Sequence, residues 1–529
     1  MPALTRLHWR DAERWHGEGA WQNDTVPHLL LRAAELAPPG AGVADPRWGH
    51  ATWERVGDWV GFLVDRLRKA GVQPGDIVPV LVPDGTLFIA SMIAVQAAGA
   101  VCAPLSHRTG RAALERVVLA TRGRHVLASR EVDSIGPSDV QVVEAEPPPP
   151  GVRCPAMDLS DVDPDAVGDV MFTSGTTGQP KGVMNTSNTK LCGLRGFLAE
   201  FDFGPDDVWA QLAPMTHNAG WLYTVLPALA TMGTVHVVPR GDPDRMLSAI
   251  CDARATATFL VPTHIEDLMG AWERDARRGD LFLRYVITGA AAADPGSLDR
   301  INRDWGAAVI SMYGLTETQG VLFTRPSEDA AASHDSVGRS SRGVELALRH
   351  PDDSTLPAEP DQPGELVVRG PTVFVGYFGD EEATRRAFTP DGWFRTGDLA
   401  VEGQGVYRIV SRIKDVILRG GATITPGDVE AAVSTALPGA DVVVIGLPDE
   451  RLGECVCACV ADANPVSIDE LCAALTRGGF GADMLPDALV MVPAFPRTEL
   501  GKVQRPLLRT QVEDGLFGPI SRRAPRRTG

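Results

Sequence analysis

Lysine is nearly missing from this 529-residue sequence. Of its 50 basic residues only five are lysine (Lys69, Lys181, Lys190, Lys414 and Lys502). Acidic residues outnumber basic ones by 68 to 50, a net charge of −18. That shortage of positive charge argues against nucleic acid as a main partner, because phosphate backbones are bound by basic surfaces. Eight cysteines without paired spacing do not make a disulfide framework. Cys455, Cys457 and Cys459 alternate in ECVCACV, which suits small side chains on one face of a half-buried strand. A CxCxC spacing is tighter than that of the usual zinc knuckles. The longest apolar stretch, LFIASMIAVQAAGAVCAPL (87–105), is interrupted by Ser91, Gln96 and Gly99. It reads as a buried helix running into a strand, and not as a membrane span. The segment MPALTRLHWRDAERWHGEG has no apolar h-region, so a signal peptide is not expected and a cytoplasmic protein is.

What the sequence does contain is alternation. DIVPVLV (76–82), TVHVVP (234–239), ATFLVP (257–262), RYVIT (284–288) and AAVISMY (307–313) are short, apolar and β-branched. Between such runs lie helical patterns such as WERVGDWVGFLVDRLRKAG (53–71). This predicts an α/β protein, a mostly parallel sheet covered by helices, with its sites in the loops after strand ends. Around 340–410 the pattern changes to strands joined by tight turns. After SRIKDVILRGG (411–421) a smaller α+β pattern begins. The expected organisation is a large N-terminal domain, 1–410, that includes a β-rich subdomain, and a small C-terminal domain, 411–529.

Where arginine is so preferred, a retained lysine marks a place for a compact point charge on a flexible stem. Three of the five sit in Gly/Pro-rich loops: Lys181 in TSGTTGQPKG, Lys414 in SRIKD and Lys502 in RTELGKVQR. The first loop follows the strand-like Asp169–Phe172 and packs four hydroxyls, three glycines and a lysine into ten residues. Backbone N–H groups, hydroxyls and a cation at that density make an anion site. It is not a Walker A loop, because Gln179-Pro180 separate Gly178 from Lys181 and Gly182 follows the lysine.

TSGTTGQPKG resembles the signature loop of the adenylate-forming superfamily, which includes acyl- and aryl-CoA ligases, adenylation domains and luciferases. Four further segments follow in the family's order: MYGLTETQG (312–320), GWFRTGDLA (392–400), SRIKDVILRGGATITPGDVE (411–430) and PRTELGKVQR (496–505). The resemblance covers almost the whole chain. It implies a ligase that joins a carboxylic acid to the α-phosphorus of ATP, releases pyrophosphate and passes the acyl group to a thiol. An acid already ionised at pH 7 needs no general base, so the want of an evident catalytic dyad is consistent with that chemistry.

The resemblance also implies roles. Thr173, Ser174, Gly175, Thr176, Thr177, Gly178 and Lys181 would wrap the β- and γ-phosphates, with Thr176 also near the metal. Thr316 and Glu317 match the pair that contacts phosphate and Mg2+. Tyr313 and Gly314 would border the adenine together with Gly289, Ala290 and Ala291. Asp398 and Arg412 would hold the ribose. Lys502 would bridge the attacking carboxylate and the α-phosphate. Lys414 occupies the hinge at which a mobile C-terminal domain turns, after which Gly420 and Gly421 would let a pantetheine thiol approach.

For the acid pocket the resemblance points to LAPMTHNAGWLYTVLPAL (212–229). His217-Asn218 is similar to the His-Asn pair of aryl-acid ligases, with His217 as a gate and Asn218 as a reader of a ring hydroxyl. Residues 219–223 depart from that branch, and Trp221, Tyr223 and Gly314 would complete a pocket for an aromatic or cyclic acid. The acceptor is expected to be coenzyme A. The alternatives are a carrier-protein pantetheine, or use of the adenylate for amide formation or nitrite-dependent diazotisation.

Overall fold

The structure is a computed structural model. It describes residues 11–129, 140–154, 157–160, 162–173, 181–274, 281–291, 293–325, 336–359, 362–420, 422–461, 464–481, 485–498 and 501–523. Internal contacts divide the chain into two compact units. One comprises Met1–Leu346 with Val368–Phe394, and the other Ala347–Val367 with Arg395–Gly529. Packing thus divides the chain at Phe394, whereas the sequence-based boundary near 411 concerns the part expected to move.

The first unit is built on two sheets. In the nine-stranded sheet, Ala308–Leu315, Tyr285–Thr288, Ala257–Leu260, Val208–Gln211, Thr234–Val237 and Gly42–Asp45 lie side by side and run parallel. Antiparallel strands close both edges. The seven-stranded sheet includes Ile77–Leu81, Val101–Pro104, Val167–Thr173 and Lys181–Thr186. Every strand expected from the β-branched runs is present. The 87–105 stretch forms a helix, Thr86–Ala97, whose residues are all buried, followed by the strand Val101–Pro104. A helix that is apolar all round belongs inside a core. Trp53–Lys69 is amphipathic instead: Val56, Val60, Leu63 and Leu67 are buried, while Glu54, Asp65 and Lys69 face water. The Thr52 side chain caps it by accepting from the Arg55 N–H. None of the described helices is long and apolar enough to cross a membrane.

In the second unit, the strands Phe394–Gly403 and Val406–Arg412 pair antiparallel, with Asp398 opposite Arg412. Beyond them a second sheet is centred on Gly453–Ala461, with Asp441–Asp449 beside it, and carries the helices Pro426–Ala436 and Ile468–Arg477. Ser467 and Glu470 form a capping box at the start of the latter helix.

The cysteine strand corrects one expectation. Val456, Ala458 and Val460 pack against Val429, Val433 and Leu471 on one face. Cys455, Cys457 and Cys459 pack against Val443, Ile445 and Leu508 on the other. The strand is buried on both faces, as a nearly continuous apolar run should be. All eight cysteines are free thiols. Cys457→Leu should therefore overpack the sheet and cost about 1–3 kcal/mol. Hydrogen exchange across residues 453–461 reads this directly, and faster exchange is expected; a strand with one face in water would show no change.

Candidate active site

Parallel pairing decides where the loops go. Because Val208–Gln211, Ala257–Leu260, Tyr285–Thr288 and Ala308–Leu315 run the same way, their C-terminal ends share one edge of the sheet. From that edge leave the His217-Asn218 loop, Gly289–Ala291 and Tyr313–Glu317. Ala290 adopts a left-handed φ of 69°, a conformation that costs a residue with a Cβ about 1–2 kcal/mol. Such strain gathers at ligand sites. At Gly314 a Cβ would stand 2.0 Å from the Gln319 carbonyl oxygen, so only glycine permits the turn there. The turn is tied by Leu315 N–H donating to the Thr318 hydroxyl at 3.1 Å and by Gln319 in a left-handed conformation.

Glu317 projects from this turn. The Tyr377 hydroxyl donates to its carboxylate at 2.9 Å, and its carbonyl accepts from Phe374 N–H at 2.8 Å. The Lys181 ammonium lies 4.7 Å from the centre of the Tyr377 ring, within cation–π range. Burial, and then the Glu317 charge, push the Tyr377 hydroxyl well above its ordinary range, so it stays a donor. Lys181 and Glu317, far apart in sequence, are thus joined through one phenol. Thr173 faces Lys181 across the strand pair. The remaining members of the phosphate loop, Ser174, Gly175, Thr176, Thr177 and Gly178, lie outside the described residues. Sequence reasoning missed Tyr377; the available signal was that the chain has only five tyrosines.

The acid-pocket segment forms a π-helical turn, Trp221–Val225, a geometry common at functional sites. Trp221 is fully buried, edge-on to Phe88, and its indole N–H has no partner among the described residues. Tyr223 sits in the core between Phe197 and Phe323, and its hydroxyl accepts from the Gly320 N–H. The His217 carbonyl holds the N–H groups of Gly220 and Trp221, and Asn218 donates its amide N–H to Gln319 Oε1 at 2.9 Å. At the neighbouring strand end, burial chiefly, and then Arg240, push His264 down to about 4. It is neutral at pH 7, and no local motif announced it.

In the second unit Asp398 is 3% exposed, and the Arg412 guanidinium lies 3.0 Å from its carboxylate. The preceding turn is anchored by the buried Glu365, which binds Arg395 at 2.8 Å and accepts from Gly397 N–H at 3.2 Å. Gly397 supplies the left-handed φ of 71° that the turn needs. Lys502 is held by its backbone: its N–H donates to the Thr498 hydroxyl at 3.2 Å and its carbonyl accepts from Thr498 N–H at 2.8 Å. Burial first, then Arg412, lower its pKa to about 8, against the pull of Asp398 and Asp415. Lys414 stands in the short 3-10 turn Ile413–Asp415 and is lowered mainly by burial. Gly420 takes a φ of 57° in the following turn, its N–H on the Leu452 carbonyl at 2.7 Å; Gly421 lies outside the described residues.

A parallel sheet that brings the Glu317 carboxylate to its C-terminal rim, joined to Lys181 through Tyr377, has the arrangement of an α/β enzyme site. The chain belongs to the AMP-binding enzyme family: residues 32–378 match the family's main domain and 428–502 its C-terminal domain. It is 34% identical over 507 residues to a feruloyl-CoA synthase of Amycolatopsis, covering 93% of this chain and 98% of that protein. A Mycobacterium tuberculosis CoA ligase named for a dioxo-octahydroindenyl propanoate is 32% identical, covering 92% of this chain and 98% of its own length. Among solved structures, ATP-bound MatB from Rhodopseudomonas palustris superposes with a TM-score of 0.82 at 25% identity, covering 92% of this chain and 99% of that one.

Tyr377→Phe keeps the ring over Lys181 but removes the donor to Glu317. A lost hydrogen bond to a partly solvated carboxylate should cost about 1–2 kcal/mol. All eleven tryptophans precede residue 394, so urea unfolding followed by tryptophan fluorescence reports the first unit alone. An unchanged midpoint would show that the contact carries no stability.

Proposed function

We propose that the protein activates an aromatic or cyclic carboxylic acid with ATP, forming acyl-AMP and pyrophosphate, and then transfers the acyl group to the thiol of coenzyme A. The enzyme is an AMP-forming acid–thiol ligase. The observation that carries the residue-level reading is the grouping of Asp398, Arg412 and Lys502 in one electrostatic neighbourhood of the second unit. The acids named for the two relatives, one aromatic and one bicyclic, support the substrate class.

The difficulty of the first step is charge. A carboxylate with a pKa near ~4–5 is ionised at pH 7 and must approach a triphosphate. Fixed cations and oriented donors lower that barrier. Thr173 through Lys181 would hold the β- and γ-phosphates, and Thr316 would add a hydroxyl. Tyr313 and Gly314, with Gly289, Ala290 and Ala291, would seat the adenine. Asp398 would accept from the ribose hydroxyls, with Arg412 beside it. Lys502 would place its ammonium between the attacking carboxylate oxygen and the α-phosphate while the bond to pyrophosphate breaks. Glu317 offers the oxygen donors that Mg2+ takes, and the ion, when bound, would neutralise phosphate charge. In the second step the thiol attacks the acyl carbonyl and AMP leaves. Lys414 would serve as the hinge between the steps, and the Gly420-Gly421 turn would admit the pantetheine. His217 and Asn218 would face the acid, with Trp221 behind them.

Lys502→Ala should lower acyl-AMP formation by about 100- to 1,000-fold, the range for losing one preorganised charge donor, yet spare thioester formation from supplied acyl-AMP. Stopped assays of each half-reaction check this, and equal loss in both halves would contradict it. The pH dependence has a definite sign. Lys502 is protonated below about 8, so kcat/KM for ATP in acyl-AMP formation should fall as pH rises through that value. The protonated fraction drops about tenfold from pH 7 to 9, and the free-enzyme profile reports it. A flat profile over that range in the native enzyme would remove Lys502 from the step.

A further inference from the structure

Of the five lysines, Lys69 and Lys190 have no part in the mechanism, and Lys190 is also the most deeply buried. Its side chain is 1% exposed and stands 2.9 Å from Asp169, itself 2% exposed. Asp169 lies opposite Asn185 on the neighbouring strand. From this pair a line of polar groups crosses the core. Asn185 Nδ2 donates to Asp169 Oδ1 at 3.5 Å. Gln319 Nε2 donates to Asn185 Oδ1 at 2.8 Å. Asn218 Nδ2 donates to Gln319 Oε1 at 2.9 Å.

The line has only one sense. A carboxylate paired with an ammonium can only accept, so Asn185 must turn its NH2 to Asp169 and its oxygen to Gln319. Gln319 must then turn its NH2 to Asn185, and the Thr316 carbonyl at 3.4 Å requires the same orientation. Asn218 is left to give its NH2 to Gln319, so its Oδ1 becomes the free end. That oxygen is buried and has no hydrogen-bond partner among the described residues, an unsatisfied acceptor of the kind that native interiors rarely leave.

We propose that Gln319, oriented by the buried Lys190–Asp169 pair through Asn185, is the positioning residue that makes Asn218 present its oxygen to the acid, and so selects acids bearing an O–H or N–H donor. The inference rests on the reading that the acid sits at Asn218. The backbone fits it: Gln319 takes a left-handed φ of 60°, and Gly193 passes so close that a Cβ there would come within 2.9 Å of the Gln319 Cβ.

The test is acid-dependent exchange of labelled pyrophosphate into ATP, run with hydroxybenzoates and hydroxycinnamates against the matching fluoro acids. These are similar in size but have no proton to give. The native enzyme should favour the hydroxy acid at least tenfold in kcat/KM for the acid. Gln319→Met frees the Asn218 amide to turn over, so this ratio should fall toward one through KM for the acid, while any change in KM for ATP is common to both acids and leaves the ratio untouched. Adding Asn218→Asp to that variant should restore the preference, because a carboxylate accepts whichever way it lies. The paired change Asp169→Asn with Lys190→Met should also lower the ratio, from a place remote from the acid, and keeps the test open should Gln319→Met not fold. A native enzyme indifferent to the donor, or both variants keeping the full ratio, would overturn the proposal. Absence of exchange with every acid would instead count against the adenylation reading on which it rests.

Discussion

The arrangement of the first unit depends on parallel hydrogen bonding among six neighbouring strands. Parallel pairing needs crossover connections, so helices are forced onto the faces of the sheet and every strand finishes at the same edge. That single constraint delivers the Gly289–Ala291, Tyr313–Glu317 and His217–Asn218 segments to one rim, although up to about a hundred residues separate them in the chain. The left-handed Ala290 and the turn that only Gly314 permits are local costs borne by that rim.

The scarcity of lysine becomes intelligible against this frame. Lys181 stands over the Tyr377 ring, where a compact ammonium leaves the phenol free to bind Glu317. Lys502 is a half-buried cation whose charge is weakened by its surroundings, which a guanidinium would not allow. Lys190 neutralises a buried carboxylate. Only Lys69, paired with Asp65 on an exposed helix face, does what most surface lysines do. A buried ion pair is poor evidence for stability; the value of Lys190 and Asp169 lies in imposing a direction on the amides that follow.

Much of this was legible in the sequence, and most of what was not has a common cause. Strand positions, the 53–71 helix and the helix-to-strand run at 87–105 follow from periodicity and β-branching, which are local. The five ordered motifs carried the family. Partners across the fold were hidden, because topology and not local pattern sets them. Nothing near Glu317 names Tyr377, nothing near the RTGD turn names Glu365, and no spacing links Asn218 to Gln319. ECVCACV was misjudged for a different reason: alternation of cysteine with valine and alanine imitates a one-sided strand, although both sets are apolar.

Everything proposed for the site requires that a carboxylic acid and ATP react directly on this protein. Acid-dependent exchange of labelled pyrophosphate into ATP, surveyed over hydroxybenzoates, aminobenzoates, cinnamates, alicyclic and fatty acids, tests it most directly. Strong exchange with aromatic or cyclic acids, absent when the acid is omitted, is the predicted result. No exchange with any acid, from a folded enzyme that binds ATP, would contradict it.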